Sequence, residues 1–382
     1  MKVIGTGTFR PTRKMLQYTN RILQSGQLSY GHFSRQLESR FAKLHNRQFG
    51  ILSNSGTSSL LVALQTLKEY HNWQDGDEVI VPALTFVATV NTVLQSGLKP
   101  VLVDVESNYY GIDPICLEIV VANSRRARAI IPVHTFGQPC NMREIQDICT
   151  AYKVKIIEDS CESVMVSYQD KPVGSWSDIS CFSTYMAHLV TTGVGGISLT
   201  DSPEYAKIMR SLVNHGLMYS DLSQDGDFNP IKTHRDFTFE RVGHSFRITE
   251  LEAAIGLAQL DDLPAMIDNR QSNARYLNDN LSHLPLQLPA IRPYAEHAFM
   301  MYPIVVIEWD RDKLTEHLNE YGIQTRRMLP LISQPVYKGL WNPDDYPIAK
   351  WIDESGFYIG CHQDLTKDDL DYMVQTIEAF YR

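Results

Sequence analysis

Val154-Lys155-Ile156-Ile157-Glu158-Asp159 is a short apolar run closed by two acids, and Ser160-Cys161-Glu162 follows it. Its length and content predict a strand over Val154 to Glu158 that delivers Asp159 at its carboxyl end, where ligands of open α/β sheets gather. Just before it, Met142 to Tyr152 has the spacing of an amphipathic helix, and Ala129 to Val133 is another apolar run. Strand, helix, strand is the unit of a parallel sheet covered by helices.

The same alternation runs from Leu37 onward. Upstream it predicts a helix over Gly56 to Tyr70, a strand over Glu78 to Val81 ending at Pro82, a helix over Phe86 to Gln95 and a strand over Pro100 to Asp104. Downstream, Cys181-Phe182-Ser183-Thr184-Tyr185-Met186-Ala187-His188 and then Thr192-Gly193-Val194-Gly195-Gly196 read as strand, turn with a reactive residue, glycine turn and next strand. Gln224 to Phe246, with Lys232, Arg235 and Arg241, predicts a long functional loop. Helices over Thr249 to Leu260 and Met266 to Leu281 are expected to bridge two units. After Pro285 the order is strand (Tyr302 to Ile307), helix (Arg311 to Tyr321), helix (Ile348 to Glu354), strand (Phe357 to Gly360) and helix (Lys367 to Tyr381). The expectation is a large α/β domain over residues 1–260 and a smaller α+β domain over 261–382.

Composition narrows the function. With 382 residues, 43% of them hydrophobic, the chain can bury a substantial core. A net charge of −9 without a long Lys/Arg run argues against nucleic acid as a partner. The six cysteines show neither a CxxC pair nor zinc-ligand spacing, so no metal site is expected. Met1-Lys2-Val3-Ile4-Gly5 lacks a signal-peptide stretch, and no apolar run approaches about 18 residues, so a cytoplasmic protein with no membrane partner is expected.

Several short motifs suit an anionic, planar ligand. Ser53-Asn54-Ser55-Gly56-Thr57-Ser58-Ser59 opens an apolar helix, where free amides and hydroxyls favour a phosphate. Phe86 stands at a strand-to-helix junction where an aromatic can stack on a ring. Asp159 can hold a pyridine nitrogen protonated, and Ser183 adds a hydroxyl five residues before His188. Taken singly, each has a plain structural reading as N-cap, core aromatic or paired acid.

Order and spacing bind them together. Ser-Gly-Thr, Pro-x-x-Thr-Phe, Val133-His134-x-Phe136-Gly137-Gln138-Pro139, Glu-Asp-Ser-Cys-Glu and Arg247-x-Thr249-Glu250-Leu251-x-Ala253-Ala254-x-Gly256 occur in this order. Ser25-Gly26-Gln27-Leu28, Asn214-His215-Gly216 and Gln334-Pro335-Val336-Tyr337 extend the match nearly end to end. The chain resembles the sugar aminotransferases named after DegT, DnrJ and StrS. That resemblance implies fold type I of the pyridoxal phosphate (PLP) enzymes, with a mostly parallel seven-stranded sheet, a smaller C-terminal α+β domain, and a homodimer with shared active sites. It assigns Ser55, Gly56, Thr57 and Ser183 to the phosphate, Phe86 to the ring face, Asp159 to the pyridine nitrogen and Glu162 to the ring hydroxyl. Ser245 replaces an asparagine that in the family reaches the phosphate across the dimer, and Val194 replaces an acid. His215, Arg241, Arg247, Arg326 and Arg327 are candidates for the nucleotide sugar, since guanidinium groups suit a diphosphate.

His188 departs from the pattern, because it replaces the Schiff-base lysine. The same exchange marks a branch of nucleotide-sugar 3-dehydratases, the GDP-4-keto-6-deoxymannose 3-dehydratase among them. The resemblance therefore implies non-covalently bound PLP or pyridoxamine phosphate (PMP), a nucleotide-linked 4-keto-6-deoxy sugar that loses its C3 hydroxyl, and L-glutamate as amino donor. His188 and Asp159 are the catalytic residues expected, with His188 moving protons. Two alternatives stand beside this: a lysine-free nucleotide-sugar aminotransferase, and a non-catalytic PLP-binding or regulatory homologue.

Overall fold

The computed structural model describes residues 3–220 and 237–382. In chain order the first strands are β1 (Phe49–Ser53), β2 (Glu78–Pro82), β3 (Lys99–Val103), β4 (Ala127–Ile130) and β5 (Lys155–Asp159). A small hairpin of β6 (Ser167–Tyr168) and β7 (Lys171–Pro172) precedes β8 (Ile179–Ser183) and β9 (Gly196–Thr200). Seven of them form one sheet in the order β1-β9-β8-β5-β4-β2-β3. β3, β2, β4, β5 and β8 pair in parallel, whereas β9 is antiparallel to both β8 and β1. This is the PLP-dependent aminotransferase fold expected from the sequence, and its parallel strands point their carboxyl ends to one edge.

One strand is shorter than its apolar run. The expected strand over Ala129 to Val133 stops at Ile130. Pro132 has no amide to donate to a ladder, and Val133 instead meets Asp159 in an isolated bridge.

Two helices precede β1, the second of them already spanning Leu37: α1 (Arg13–Ser25) and α2 (His32–Leu44). The sequence gives little notice of α2 because its cap is remote. The buried Glu250 carboxylate accepts the amides of Gly31, Phe33 and Ser34 at 2.9, 2.8 and 2.9 Å, so an acid far along the chain satisfies the helix start. The large sheet is covered by α3 (Gly56–Tyr70), α4 (Val87–Gln95), α5 (Pro114–Asn123), α6 (Met142–Tyr152), α7 (Pro203–Leu212) and α8 (Glu250–Gln259).

α9 (Leu263–Leu281) joins two cores. Leu263 and Ile267 pack in the main one, and Ala274, Leu277 and Leu281 in the second. The second core lies under an antiparallel sheet of β10 (Leu286–Gln287), β11 (Tyr302–Val306), β12 (Thr325–Arg327) and β13 (Gly356–Ile359), in the order β10-β11-β13-β12. α10 (Arg311–Glu320), α11 (Pro347–Ser355) and α12 (Lys367–Tyr381) complete this part. Ile4 also packs into the second core and bridges Ile323. The expected loop over Gln224 to Phe246 lies largely outside the described residues, Lys232 and Arg235 included.

Candidate active site

The carboxyl ends of β5 and β8, the head of α3 and the cap of α4 converge on one cavity of about 470 Å³. Ser55, Gly56, Thr57, Phe86, Asp159, Glu162, Ser183 and His188 all line it. Ser55 caps α3 by accepting the Ser58 amide at 3.0 Å. The first amides of a helix have no intrahelical partner, so the head of α3 is suited to an anion. Gly56 is required by close approach: a Cβ there would stand 2.8 Å from both Cys161 Sγ and Ser183 Cβ. Phe86 caps α4 without a side-chain bond and is 59% exposed, an apolar face open to a planar ligand.

Asp159 is buried at the end of β5. Its Oδ2 accepts Thr89 Oγ1 at 3.0 Å and its Oδ1 accepts the Cys161 amide at 3.3 Å. Burial raises its pKa, against those hydrogen bonds. A cation beside it would reverse that shift.

Glu162 accepts the amide of Phe136. Phe136 has a φ of 59°, a left-handed conformation unusual for an aromatic, and its carbonyl is pinned by the Met300 amide at 3.0 Å. The strained turn aims an N–H at Glu162. Burial, helped by the Asp159 charge, pushes the Glu162 carboxyl up to about 7.

His188 lies in the connection between β8 and β9. Its amide donates to the Tyr185 carbonyl at 2.9 Å, and the His188 carbonyl accepts Thr191 Oγ1 at 3.2 Å, so the backbone is fixed. Among the described residues, Nδ1 is buried without a hydrogen-bond partner. Burial lowers the imidazole pKa to about 4, despite an opposing contribution from the Cys161 backbone, so the ring is a neutral base at pH 7.

The sequence reading missed the opposite wall. Met300, Met301, Leu329 and Tyr358, from the C-terminal part, close the cavity. Phe357 and Ile359 are buried in the second core, so the alternation along β13 turns Tyr358 to the other face. That alternation is the signal that would have found it. Tyr358 also pairs in register with Arg326.

The remaining candidates lie outside the cavity lining. Arg247 Nη2 bonds His215 Nε2 at 3.0 Å and Ser245 Oγ at 3.1 Å, so these three form a cluster of their own. Arg241 is paired with Glu69 and Glu240, and Arg327 with Asp353 at 2.6 Å. Arg326 is exposed on β12.

Residues 11–378 match the profile of the DegT/DnrJ/EryC1/StrS aminotransferase family. The chain belongs to this family. It is 31% identical over 356 residues to GDP-perosamine synthase of Caulobacter vibrioides, covering 92% of this chain and 90% of that protein. It is 30% identical over 413 residues to dTDP-4-dehydro-2,6-dideoxy-D-glucose 3-dehydratase of Saccharopolyspora spinosa, covering 99% and 87%. Among solved structures, Escherichia coli GDP-4-keto-6-deoxy-D-mannose-3-dehydratase with bound hydrated PLP superposes with a TM-score of 0.87 at 25% identity, covering 98% of this chain and 100% of the other. The family acts with PLP on nucleotide-linked sugars, and its members include both aminotransferases and 3-dehydratases. No helix among the described residues is long and apolar enough to cross a membrane.

Proposed function

We propose that this protein is a PMP-dependent dehydratase that removes the C3 hydroxyl of a nucleotide-linked 4-keto-6-deoxy sugar. One observation carries the reading. Among the described residues no lysine lines the cavity, and a neutral imidazole with an unpartnered nitrogen stands in the connection after Ser183.

The other lining residues fit the cofactor. The head of α3 and Ser183 suit its phosphate, the open face of Phe86 its ring, and the buried Asp159 carboxylate its pyridine nitrogen. When bound, PMP supplies a primary amine for the C4 ketone and a ring that takes up negative charge. His188 would act as general base toward the proton at C4′ and would return that proton to the departing C3 hydroxyl. Asp159 holds the ring nitrogen protonated. Glu162, protonated for much of the time near pH 7, donates toward the ring hydroxyl. Because an imidazole forms no Schiff base, these residues would hold the cofactor without a covalent bond, and L-glutamate would be the amino donor.

The reading includes a homodimer in which Ser245, His215 and Arg247 serve the partner's cavity. The exposed Phe237, Phe239 and Val242 near that cluster support it. It includes a division into residues 1–260 and 261–382, supported by the passage of α9 from one core to the other. Arg326, beside Tyr358 on the C-terminal sheet, meets the diphosphate. Arg327 and Arg241, already paired with acids, contribute less.

A second reading, a nucleotide-sugar aminotransferase, is favoured by the 31% identity to GDP-perosamine synthase. Mass spectrometry of GDP-, CDP-, UDP- and dTDP-linked 4-keto-6-deoxy sugars incubated with the protein, PLP and glutamate separates the two. A 3-deoxy ketone supports the dehydratase, and an amino sugar overturns it. Borohydride treatment is expected to add no pyridoxyl group to the chain; a labelled lysine would sink non-covalent binding. If no cofactor absorbance develops with PLP or PMP, both enzyme readings fail.

A further inference from the structure

Gln334-Pro335-Val336-Tyr337 stands outside the cavity lining but grips the helix that carries much of it. Tyr337 is buried, and its hydroxyl donates to Asn91 Oδ1 at 2.7 Å and reaches the Val87 carbonyl at 3.2 Å. Val87 and Asn91 belong to the start of α4 and, four residues apart, share one helix face. Thr85, Phe86, Ala88 and Thr89, interleaved with them, line the cavity. The start of α4 therefore meets the cavity on one side and Tyr337 on the other.

On the cavity side Thr89 is tied to Asp159 and, at 2.9 Å, to Thr85 Oγ1. The Phe86 ring has no polar atom to anchor it and is more than half exposed, so its place follows from the backbone of this turn. Val87, whose carbonyl the Tyr337 hydroxyl reaches, is the next residue. Tyr337 is itself firmly seated. Its amide donates to the Gln334 carbonyl at 3.1 Å, Gln334 Nε2 to the Pro330 carbonyl at 2.8 Å, and the Leu331 amide to the Leu329 carbonyl at 2.8 Å. Leu329, left-handed at a φ of 41°, lines the opposite wall. Further on, the Asp104 carboxylate just past β3 accepts the Ile348 and Ala349 amides, each at 2.9 Å, at the start of α11. The chain from Leu329 to Ala349 is thus pinned to the large sheet, and the Tyr337 hydroxyl links the wall bearing Leu329 to the wall bearing Phe86.

We infer that Tyr337 is a positioning residue: its hydroxyl braces the first turn of α4 and so fixes the Phe86 ring across from the C-terminal wall, an inference that rests on the reading of Phe86 as the face that stacks on the cofactor ring. A ring set in place beforehand spares the cofactor the cost of ordering it on binding.

Tyr337→Phe deletes only the hydroxyl and keeps the aromatic ring beside Trp341, 5.3 Å away between centroids, so it is expected to fold. Asn91→Ala removes the nearer acceptor. Hydrogen exchange of the cofactor-free full chain, read by mass spectrometry, is expected to quicken severalfold at the α4 amides in Tyr337→Phe and to hold at the head of α3. In a PLP titration followed by absorbance, both variants are expected to lose about 3- to 10-fold in affinity, the scale of one hydrogen bond. In a Phe86→Ala background the further loss from Tyr337→Phe should disappear. A hydroxyl that serves the fold alone would lower the melting temperature and leave PLP affinity and the visible circular dichroism of bound PLP unchanged. That result overturns the positioning role, as do unchanged exchange in α4 and a hydroxyl effect of full size without Phe86. Wild-type PLP affinity in Phe86→Ala alone overturns the stacking reading instead, and the exchange rates then decide whether Tyr337 braces α4.

Discussion

Glu158 and Asp159 are adjacent, equally buried acids on opposite faces of β5, and they are supplied very differently. Glu158 accepts hydrogen bonds from His134 Nε2 at 3.1 Å, the Gly174 amide at 2.7 Å, the Trp176 amide at 2.9 Å and Ser177 Oγ at 2.7 Å. His134 is equally saturated, since its Nδ1 accepts the Cys140 amide at 3.1 Å, which keeps that nitrogen free of a proton. On the other face Asp159 accepts a threonine hydroxyl and the Cys161 amide and meets the Cys161 thiol, and among the described residues the buried Nδ1 of the nearby His188 has no hydrogen-bond partner. A buried acid whose lone pairs are all taken stabilises the fold. One left short, beside an imidazole left short, is arranged for a ligand.

Exchanging the two faces' roles by mutation tests that distinction. His188→Asn is expected to lower dehydration by about 10²–10⁴-fold, the usual contribution of a positioned acid-base group. Its melting temperature and its PLP absorbance should stay near those of the wild type. A variant that retains full dehydration would move the base elsewhere. Glu158→Ala should do the reverse, because it strands four donors in the core. A loss of about 3–5 kcal/mol is expected in chemical denaturation, the scale for removing one partner of a buried charged network. Any fraction that still folds should bind PLP normally; a stable Glu158→Ala protein would show that saturation carries little energy here.

How much of this was readable beforehand follows from where each residue sits in its element. Gly56, Phe86, Asp159, Ser183 and His188 each stand at or just past the end of a helix or strand that its own hydrophobic pattern delimits, so local sequence delivers them to one sheet edge. Met300, Met301 and Leu329 reach the cavity only because a second sheet docks against the first, which no local pattern encodes; the alternation of β13 turns Tyr358 away from its own core but does not say what it meets. Glu250 capping α2 is illegible for the same reason. His215, Ser245 and Arg247 were read as site residues and do gather, but around one another rather than in this chain's cavity.

Asp159→Asn addresses the under-supplied face directly. The amide cannot form a charge-assisted bond to a protonated pyridine nitrogen, a bond worth about 1.5–3 kcal/mol. Cofactor affinity should fall by roughly 10- to 100-fold in a PLP titration, about 1.4 kcal/mol per factor of ten. Stability without cofactor should rise slightly or hold, since burial disfavours this carboxylate in its charged form. Unaltered PLP affinity would remove Asp159 from the cofactor's partners.

The mildest test compares the two faces by the sign of their pH dependence. Burial tends to raise the Glu158 pKa, but bonds from His134 and Ser177 and nearby positive charge more than offset it, so the carboxyl is held below its usual range. Its stabilisation is present above the unfolded pKa and is lost as pH falls through the lower folded value. Glu162, beside Asp159, goes the other way, from 4.5 up to about 7. Its folded form keeps a proton that the unfolded chain has already released, so its contribution is full below the unfolded value and disappears as pH rises through 7. One pKa unit corresponds to about 1.4 kcal/mol, and opening onto the cavity reduces the whole shift to roughly 1–2 kcal/mol. Denaturation of the cofactor-free protein at about pH 5 and about pH 8 should therefore show a drop of that size that Glu162→Gln removes. The same drop in Glu162→Gln would assign the titration to another group and take the proton donor away from the ring hydroxyl.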